Sequence, residues 1–553
     1  MAKESPLFYQ TDSRKTIQLD NGLVLRWSTT ADTDNVALLL GQAFRWLSVG
    51  DPLPDDRIPD DNQFVRAAAR RLLSGKSSVM KEYDYALVED KNRGEGKNPI
   101  VACVSLQHHE GYYGSVNLTF GHPELIATDP EYRNKGLIRH LIQDMVHPES
   151  EARGDVIQFI PGILHFYRQF GYEYSMLLAT GAKIENTDIL PPLAKGSTEP
   201  YTLRTATQAD IPFLLSLSTP HHLQMHAAIG LNYTQEYWQY TVHDSIVDKQ
   251  HRLDADRNTQ VIVDAATGES VGFAILSHFF FGPCVEALAV RDGVAYTDLV
   301  VPVFRQLTQV AKERMALYSR EREEIKAKEL KAKNAAAAAA AAAAAPEKTE
   351  QQELATVVTI TTAEPASPPA PAPAPFALSL ALHPHHPARV LLGAKVTSAG
   401  TPGGFRIYTR IASYPKFLKT VAPELERRLA ASALAGVSGL LRCDFFRKVE
   451  GNAGRGIEVV LNKGKIESVA EWAKPAPEET LAEKLRWKKE GKTVQVFLAA
   501  FPPLVFSNLV CGRVGLEEML HVYGDVAVPE AGTRLLLNTL FPKADHHLDV
   551  MYW

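Results

Sequence analysis

Sixteen consecutive residues, Glu124 to Arg139, constrain the folds open to this chain more than any other segment. A short apolar run, Leu125-Ile126-Ala127, ends at Asp129-Pro130. A basic turn with one glycine follows, Arg133-Asn134-Lys135-Gly136, and then an apolar-periodic stretch through His140-Leu141-Ile142-Gln143-Asp144-Met145. That pattern is strand, turn, helix. The turn falls where a helix starts, so free backbone N–H groups and the positive end of the helix dipole face outward. Arg133, Lys135 and Arg139 add charge at the same place. Such a turn is a cradle for pyrophosphate. Taken alone, the residues also fit an ordinary helix start with solvated charges.

A second segment lies downstream: Gly162-Ile163-Leu164-His165-Phe166-Tyr167-Arg168-Gln169-Phe170-Gly171-Tyr172. Tyr167 comes 31 residues after Gly136. That leaves room for one helix and one strand, the strand read at 155–160. The cradle resembles motif A of the GNAT acetyltransferases, Arg/Gln-x-x-Gly-x-Gly/Ala after a strand. Arg133 and Gly136 fit that pattern, and Ile138 departs from its usual small residue. The Gly136-Leu137-Ile138-Arg139 ending resembles the enhanced-intracellular-survival (Eis) branch. The second segment resembles motif B, with its Phe-Tyr-x-x-Phe-Gly-Tyr core. The resemblance implies that the two strands splay and that acetyl-coenzyme A enters between them.

At about 150 residues per domain, 553 residues suggest three or four domains. Hydrophobic residues make up 45%, enough for real cores. A net charge of −5 disfavours nucleic acid as a partner. Cys103, Cys284, Cys443 and Cys511 are far apart with no CxxC pair, which argues against a zinc site or a disulfide framework. The beginning Met-Ala-Lys-Glu-Ser-Pro has no apolar signal region, and no run is long and apolar enough to span a membrane. A cytoplasmic protein with no membrane partner is therefore expected.

Residues 1–195 are read as the first domain. Its strands are expected at 23–27, 83–88 and 100–106, and a helix opens at Asp32. A second start lies at Tyr201, with strands at 260–263, 270–276 and 285–290. Here Arg291-Asp292-Gly293-Val294-Ala295-Tyr296 has no Arg-x-x-Gly turn, so 196–412 is read as a second, degenerate fold of the same type without a cofactor site. Within it, 326–375 is a low-complexity insertion: a charged helix, eleven alanines at 335–345, and a Pro-Ala tract. Alanine extends a helix, Pro346 stops it, and Pro-Ala repeats build no core. The segments 377–382 and 405–410 are expected to resume the second fold. From 413 a helix at 423–430 precedes strands at 439–446, 456–461 and 466–471, with further strands at 506–512 and 535–542. This last part, 413–553, resembles the sterol-carrier-protein-like domain that closes Eis-type chains. The fold class implied is α+β: tandem GNAT folds, each a mixed, splayed sheet flanked by helices, then a sterol-carrier-like α+β domain.

The resemblance also assigns roles. Ile126, Ala127 and Thr128 match strand positions whose backbone meets the acetyl-pantetheine arm, where N–H groups polarise the thioester carbonyl. Arg133, Asn134, Lys135, Gly136, Leu137, Ile138 and Arg139 match the pyrophosphate cradle. Gly162 and Ile163 match a further cofactor contact, and core burial is the plain alternative for Ile126 and Ile163. Tyr167 falls on the general-acid position; the alternative is a packing tyrosine. In Eis-type enzymes the C-terminal carboxylate, here that of Trp553, reaches back as base or substrate anchor. The aromatic tail Met551-Tyr552-Trp553 fits such docking, or simple packing on its own domain. If it does neither, Glu124 acting through water is the next base. Histidine doublets at 108–109, 221–222, 385–386 and 546–547 lack the ligand spacing of a metal site, so no metal is expected. The implied activity is acetyl transfer to a primary amine, either an aminoglycoside-like or polyamine-like small molecule or a lysine side chain, by a possible homo-oligomer. The rival reading is a non-catalytic lipid-binding or scaffold protein.

Overall fold

A computed structural model describes residues 14–45, 61–178, 181–223, 227–247, 257–279, 282–343, 375–398, 405–446, 455–491 and 494–548. In chain order the first strands are β1 (Ile17–Gln18), β2 (Leu23–Trp27), β3 (Tyr85–Asp90), β4 (Ile100–Tyr113), β5 (Val116–Thr128), β6 (Ile157–Ile160) and β7 (Glu173–Leu178). Then come β8 (Ala182–Ile184), β9 (Tyr201–Thr205), β10 (Ala227–Leu231), β11 (Arg257–Asp264), β12 (Ser270–Phe279), β13 (Gly282–Val290), β14 (Leu378–Leu380), β15 (Thr397–Ser398) and β16 (Phe405–Arg410). The last are β17 (Gly439–Asp444), β18 (Gly456–Asn462), β19 (Lys465–Trp472), β20 (Val496–Ala500) and β21 (Asp545–His547).

They form three sheets. The first runs β1-β2-β3-β4-β5-β6-β16-β7, and β10 joins it at the far end of β4, with β21 parallel to β10. The second runs β9-β11-β12-β13-β14-β8-β15, and the third β19-β18-β17-β20. From β2 to β7 the first sheet pairs antiparallel three times, then parallel at β5–β6, then antiparallel twice. From β9 to β15 the second repeats that order, with its parallel pair at β13–β14.

Each sheet borrows a strand across the expected boundary. β8, within the first 195 residues, lies between β14 and β15 of the second sheet. β16, expected to resume the second fold, instead lies between β6 and β7 of the first. Such pairing is long-range in sequence, so no local pattern reveals it.

β4 is buried on both faces because helices cover both. Cys103 packs with Val36 and Leu40 of the helix Thr33–Ala43. Its neighbours Ala102 and Val104 pack on the other side with Leu137, Leu141, Ile142 and Met145. That second cover runs from Leu137 to Arg153, with a π-helical middle at Leu141–Val146. The alternation is the ordinary period of a strand.

Two segments expected as strands are helices, Val505–Val510 and Ala531–Leu540. In the second, Leu536, Leu537 and Leu540 are buried while Leu535 is exposed, a helical stripe. A short continuous apolar run does not distinguish a buried helix from a strand. The helix Tyr296–Ala343 continues through the charged stretch into the alanines. None of the described helices is long and apolar enough to cross a membrane.

Candidate active site

β5 and β6 pair only at Phe120–Ile157 and Gly121–Gln158. Beyond these residues the strands part. At the point of parting β5 carries a bulge: its register against β4 shifts between Cys103 and Ser105, and Leu125 has φ +47°. A non-glycine residue in that region is strained, and a bulge leaves its extra residue outside the ladder. Irregular backbone therefore faces the gap at Leu125-Ile126-Ala127.

After β5 the chain turns at Asp129, whose side chain accepts a hydrogen bond from the Glu131 N–H. Arg93 clamps this turn through Asp129 at 2.6 Å, and Tyr132 donates to Asp90 at 2.5 Å. Asn134 and Gly136 both have left-handed backbone, at φ +62° and +74°. Successive residues of opposite hand aim their N–H groups into one concavity, an anion nest. Among the described residues, no backbone carbonyl accepts from the N–H groups of Asn134 to Ile138. The turn from Arg133 to Gly136 is exposed, and a Cβ on Gly136 would meet open space. Lys135 Nζ sits 4.3 Å over the Tyr132 ring, and Arg139 bonds Gln169 at 2.5 Å beside Phe170. The predicted cradle residues are thus brought together at one helix start.

On the other side of the gap, Gly162 supports the Tyr167 ring so closely that a Cβ there would lie 2.2 Å from Tyr167 Cε2. Tyr167 is buried among Phe166, Phe170, Tyr172 and Tyr408, the last 5.4 Å away edge-on. Burial, helped by the Glu124 charge, holds its phenol well above the ordinary value of about 10. Tyr408, on the borrowed strand β16, donates from its hydroxyl to the Ile163 carbonyl at 3.1 Å and stacks on Tyr174 at 4.0 Å. Ile126 is half-buried against the core that holds Tyr167, Ala127 is buried and Thr128 half-buried. Ile163 is 69% exposed, so core burial does not explain it.

The register of β5 puts Glu124 opposite Ser105, on the same face as His122. Burial pushes the Glu124 carboxyl up to about 8. His122 Nε2 lies 3.2 Å from Glu124 Oε2, and His122 Nδ1 lies 3.3 Å from His109 Nε2. Tyr408, His122 and His109 were not readable as site residues. Tyr408 belongs to a strand whose partner is remote, and His109 was read only as half of a doublet. Trp553 lies outside the described residues. The chain is described as far as Leu548, where His546 accepts from Leu177 N–H at 3.3 Å and donates to the Cys511 carbonyl at 2.7 Å.

Among the described residues one group brings three metal-type ligands together: His221, His222 and Asp292, with ligand atoms within 4.8 Å of one another. It lies on the second sheet's side of the molecule. His221 and Asp292 are exposed, and they pair directly at 3.0 Å.

Residues 54–175 match the acetyltransferase (GNAT) domain family. No curated protein sequence matches the chain. Among solved structures, a GCN5-related N-acetyltransferase from Anabaena variabilis superposes with TM-score 0.54 at 12% identity, covering 95% of this chain and 99% of its own. One from Kribbella flavida does so with TM-score 0.51 at 13% identity, covering 95% and 97%. A probable N-acyltransferase of unknown function from Enterococcus faecalis gives 0.54 at 10%, covering 95% and 98%. At these identities the likeness speaks for the fold, an α+β arrangement of mixed sheets and helices. Over residues 54–175, then, the sequence of this chain carries the pattern of a GNAT acetyltransferase domain.

Proposed function

We propose that the chain is an acetyl-coenzyme A-dependent N-acetyltransferase that moves acetyl directly onto a primary amine. The observation that carries this reading is the meeting of three features at one gap: the exposed nest at 133–139, the bulged and parted strand β5, and Tyr167 with Glu124 at its edge. Arg133 to Arg139 would hold the pyrophosphate, and the backbone of Ile126 to Thr128 with Gly162 and Ile163 would line the pantetheine arm.

The proton balance favours Glu124 as base. An ordinary carboxyl near 3.5–4.5 lies about six units below an ammonium near 10.4, whereas Glu124 at about 8 lies only about two below it. Carboxylate oxygen of Glu124 takes the ammonium proton. The free amine attacks the thioester carbon, the C–N bond forms, and the tetrahedral intermediate loses a second proton as the C–S bond breaks. Tyr167 O–H donates to the leaving thiolate and recovers that second proton. Its raised pKa makes donation to a thiolate of about 8.5 uphill on its own, so that transfer is coupled to recovery of the second proton from the nitrogen. One proton is released per turnover. The Trp553 carboxylate, too weak a base by this comparison, suits an anchor for a cationic acceptor.

The acceptor class follows the resemblance, an aminoglycoside-like or polyamine-like small molecule or a lysine side chain. We read the second sheet as a degenerate copy of the first, because its pairing order is the same. His386 Nε2 donates to the Leu288 carbonyl at 3.0 Å beyond the β13–β14 pair, which plugs the corresponding gap. The sterol-carrier-like character of 413–553, the Eis type, a cytoplasmic location and a homo-oligomeric state belong to the same proposal. Calorimetry with acetyl-coenzyme A on the wild type, beside thiol release with kanamycin and spermidine as probe amines, tests it. A folded protein with no affinity for acetyl-coenzyme A would overturn the reading.

A further inference from the structure

The Glu124 carboxylate is not alone on its face of the sheet. Glu124, His122 and His109 form a line, with 3.2 Å between the first pair and 3.3 Å between the second. The His122 ring also stacks on Phe159 at 4.4 Å, which fixes its plane. We propose that His122, oriented by His109, is a positioning residue for Glu124: it donates from Nε2 to Oε2 and, with the Leu125 backbone N–H that also bonds this carboxylate, orients it to take the amine's proton. This inference rests on Glu124 being the base.

The donor direction follows from chemistry. An ionised carboxylate only accepts, so His122 Nε2 must carry the proton that faces it. A neutral imidazole then has a bare Nδ1, which needs a donor. His109 Nε2–H supplies one. Burial drives both rings toward the neutral form, His122 to about 3 and His109 well below its ordinary value. The contact is therefore a neutral donor on a carboxylate and not an ion pair. When Oε1 is protonated, Oε2 still accepts from His122, so the line stays hydrogen-bonded in both states of Glu124.

The groups around this line are few. Tyr85 of β3 and Ser105 of β4 lie beside Glu124, Cys103 neighbours Tyr85, the Leu125 backbone N–H bonds the carboxyl, and Ser105 Oγ donates to the Glu124 backbone carbonyl at 2.7 Å. Tyr167 faces it across the gap. His108 and Asp155 lie beyond His109. The helix Thr33–Ala43 offers this side the apolar Val36, Leu39 and Leu40.

The test is an infrared pH titration of the full-length protein, reading the carbonyl stretch of protonated Glu124, assigned by its loss in Glu124→Gln. The wild-type midpoint is expected near 8. A hydrogen bond to the charged form is about twice as strong as one to the neutral form, so His122→Phe should raise the midpoint by about one pH unit. His122→Gln returns a donor and should bring the midpoint back. His109→Leu frees the His122 tautomer and should raise the midpoint by a smaller amount. An unmoved midpoint in folded His122→Phe overturns the inference, and an unmoved midpoint in His109→Leu does so should His122→Phe not fold. The base reading fails separately if Glu124→Gln keeps wild-type thiol release with kanamycin or spermidine.

Discussion

Gly162→Ala should damage turnover chiefly through Tyr167. The added methyl would lie 2.2 Å from Tyr167 Cε2 and 2.8 Å from Cδ2. Carbon atoms rest at about 3.5–4.0 Å, so the ring must retreat by more than about 1 Å. It cannot retreat freely, because Phe166, Phe170, Tyr172 and Tyr408 surround it. Overpacking of this kind costs about 1–3 kcal/mol of stability. A displacement of about 1 Å in a reacting group costs roughly 10²-fold in rate. Tyr167→Phe removes the hydroxyl without moving the ring and should cost about 10²–10⁴-fold. If Gly162→Ala acts only by moving that hydroxyl, the double variant should be little slower than Tyr167→Phe, a strongly non-additive cycle. The assay is steady-state thiol release with one accepted amine, beside calorimetry with acetyl-coenzyme A. Full additivity, or a wild-type rate in Gly162→Ala, would refute the reasoning.

Gly136→Asp should abolish acetyl-coenzyme A binding measured by calorimetry while thermal unfolding changes by only about 1–2 kcal/mol, since the backbone there is left-handed but its surroundings are open. Glu124→Gln should stabilise the protein at alkaline pH. The Glu124 carboxyl is raised from 4.5 to about 8 on folding, so between those values the unfolded chain binds fewer protons and stability falls as pH rises. The difference between variant and wild type should vanish near pH 4 and approach ~5 kcal/mol above pH 8, and equal denaturation curves at both ends would exclude the shift. Replacing 330–374 by a short flexible linker should leave cofactor affinity and cooperative unfolding intact; a broad, early transition would show that the segment belongs to a core. Extending the chain past Trp553 by a few residues should lower acetyl transfer far more than acetyl-coenzyme A affinity, and equal turnover of extended and native forms would remove the terminal carboxylate from the site.

The strand, turn and helix start at 124–139 were legible because a local run of residues builds them. Asn134 and Gly136 take left-handed backbone, and Leu137 begins the helix, all within the motif. Strands β2 and β16 also have the expected bounds, since each is a short segment that ends cleanly. β4 was expected to stop at residue 106 but runs to Tyr113. Gln107, His108 and His109 interrupt its hydrophobic pattern, yet all three are buried. Hydropathy misses them because all three are polar: His109 meets His122 at 3.3 Å and His108 approaches Asp155 at 3.2 Å, while the Gln107 amide has no hydrogen-bond partner among the described residues. The same blindness hid the Glu124 line, which is three polar residues on two strands.

The strand exchange has a consequence for how the site is built. Tyr408 stands 270 residues beyond Ile138, after the low-complexity tract, yet its ring forms one wall around Tyr167 and its hydroxyl holds the Ile163 carbonyl. β16 also supplies the only described partner that β7 has within the main order of the first sheet. Removing it would leave β6 and β7 as separate edges, with unpaired N–H and C=O groups along both. In exchange, β8 closes the second sheet between β14 and β15. Neither sheet is complete from its own stretch of sequence. The boundary near residue 195 therefore divides two sequence patterns but not two self-sufficient folds. The Tyr408 wall of the aromatic enclosure around Tyr167 exists only when the second half of the chain is in place.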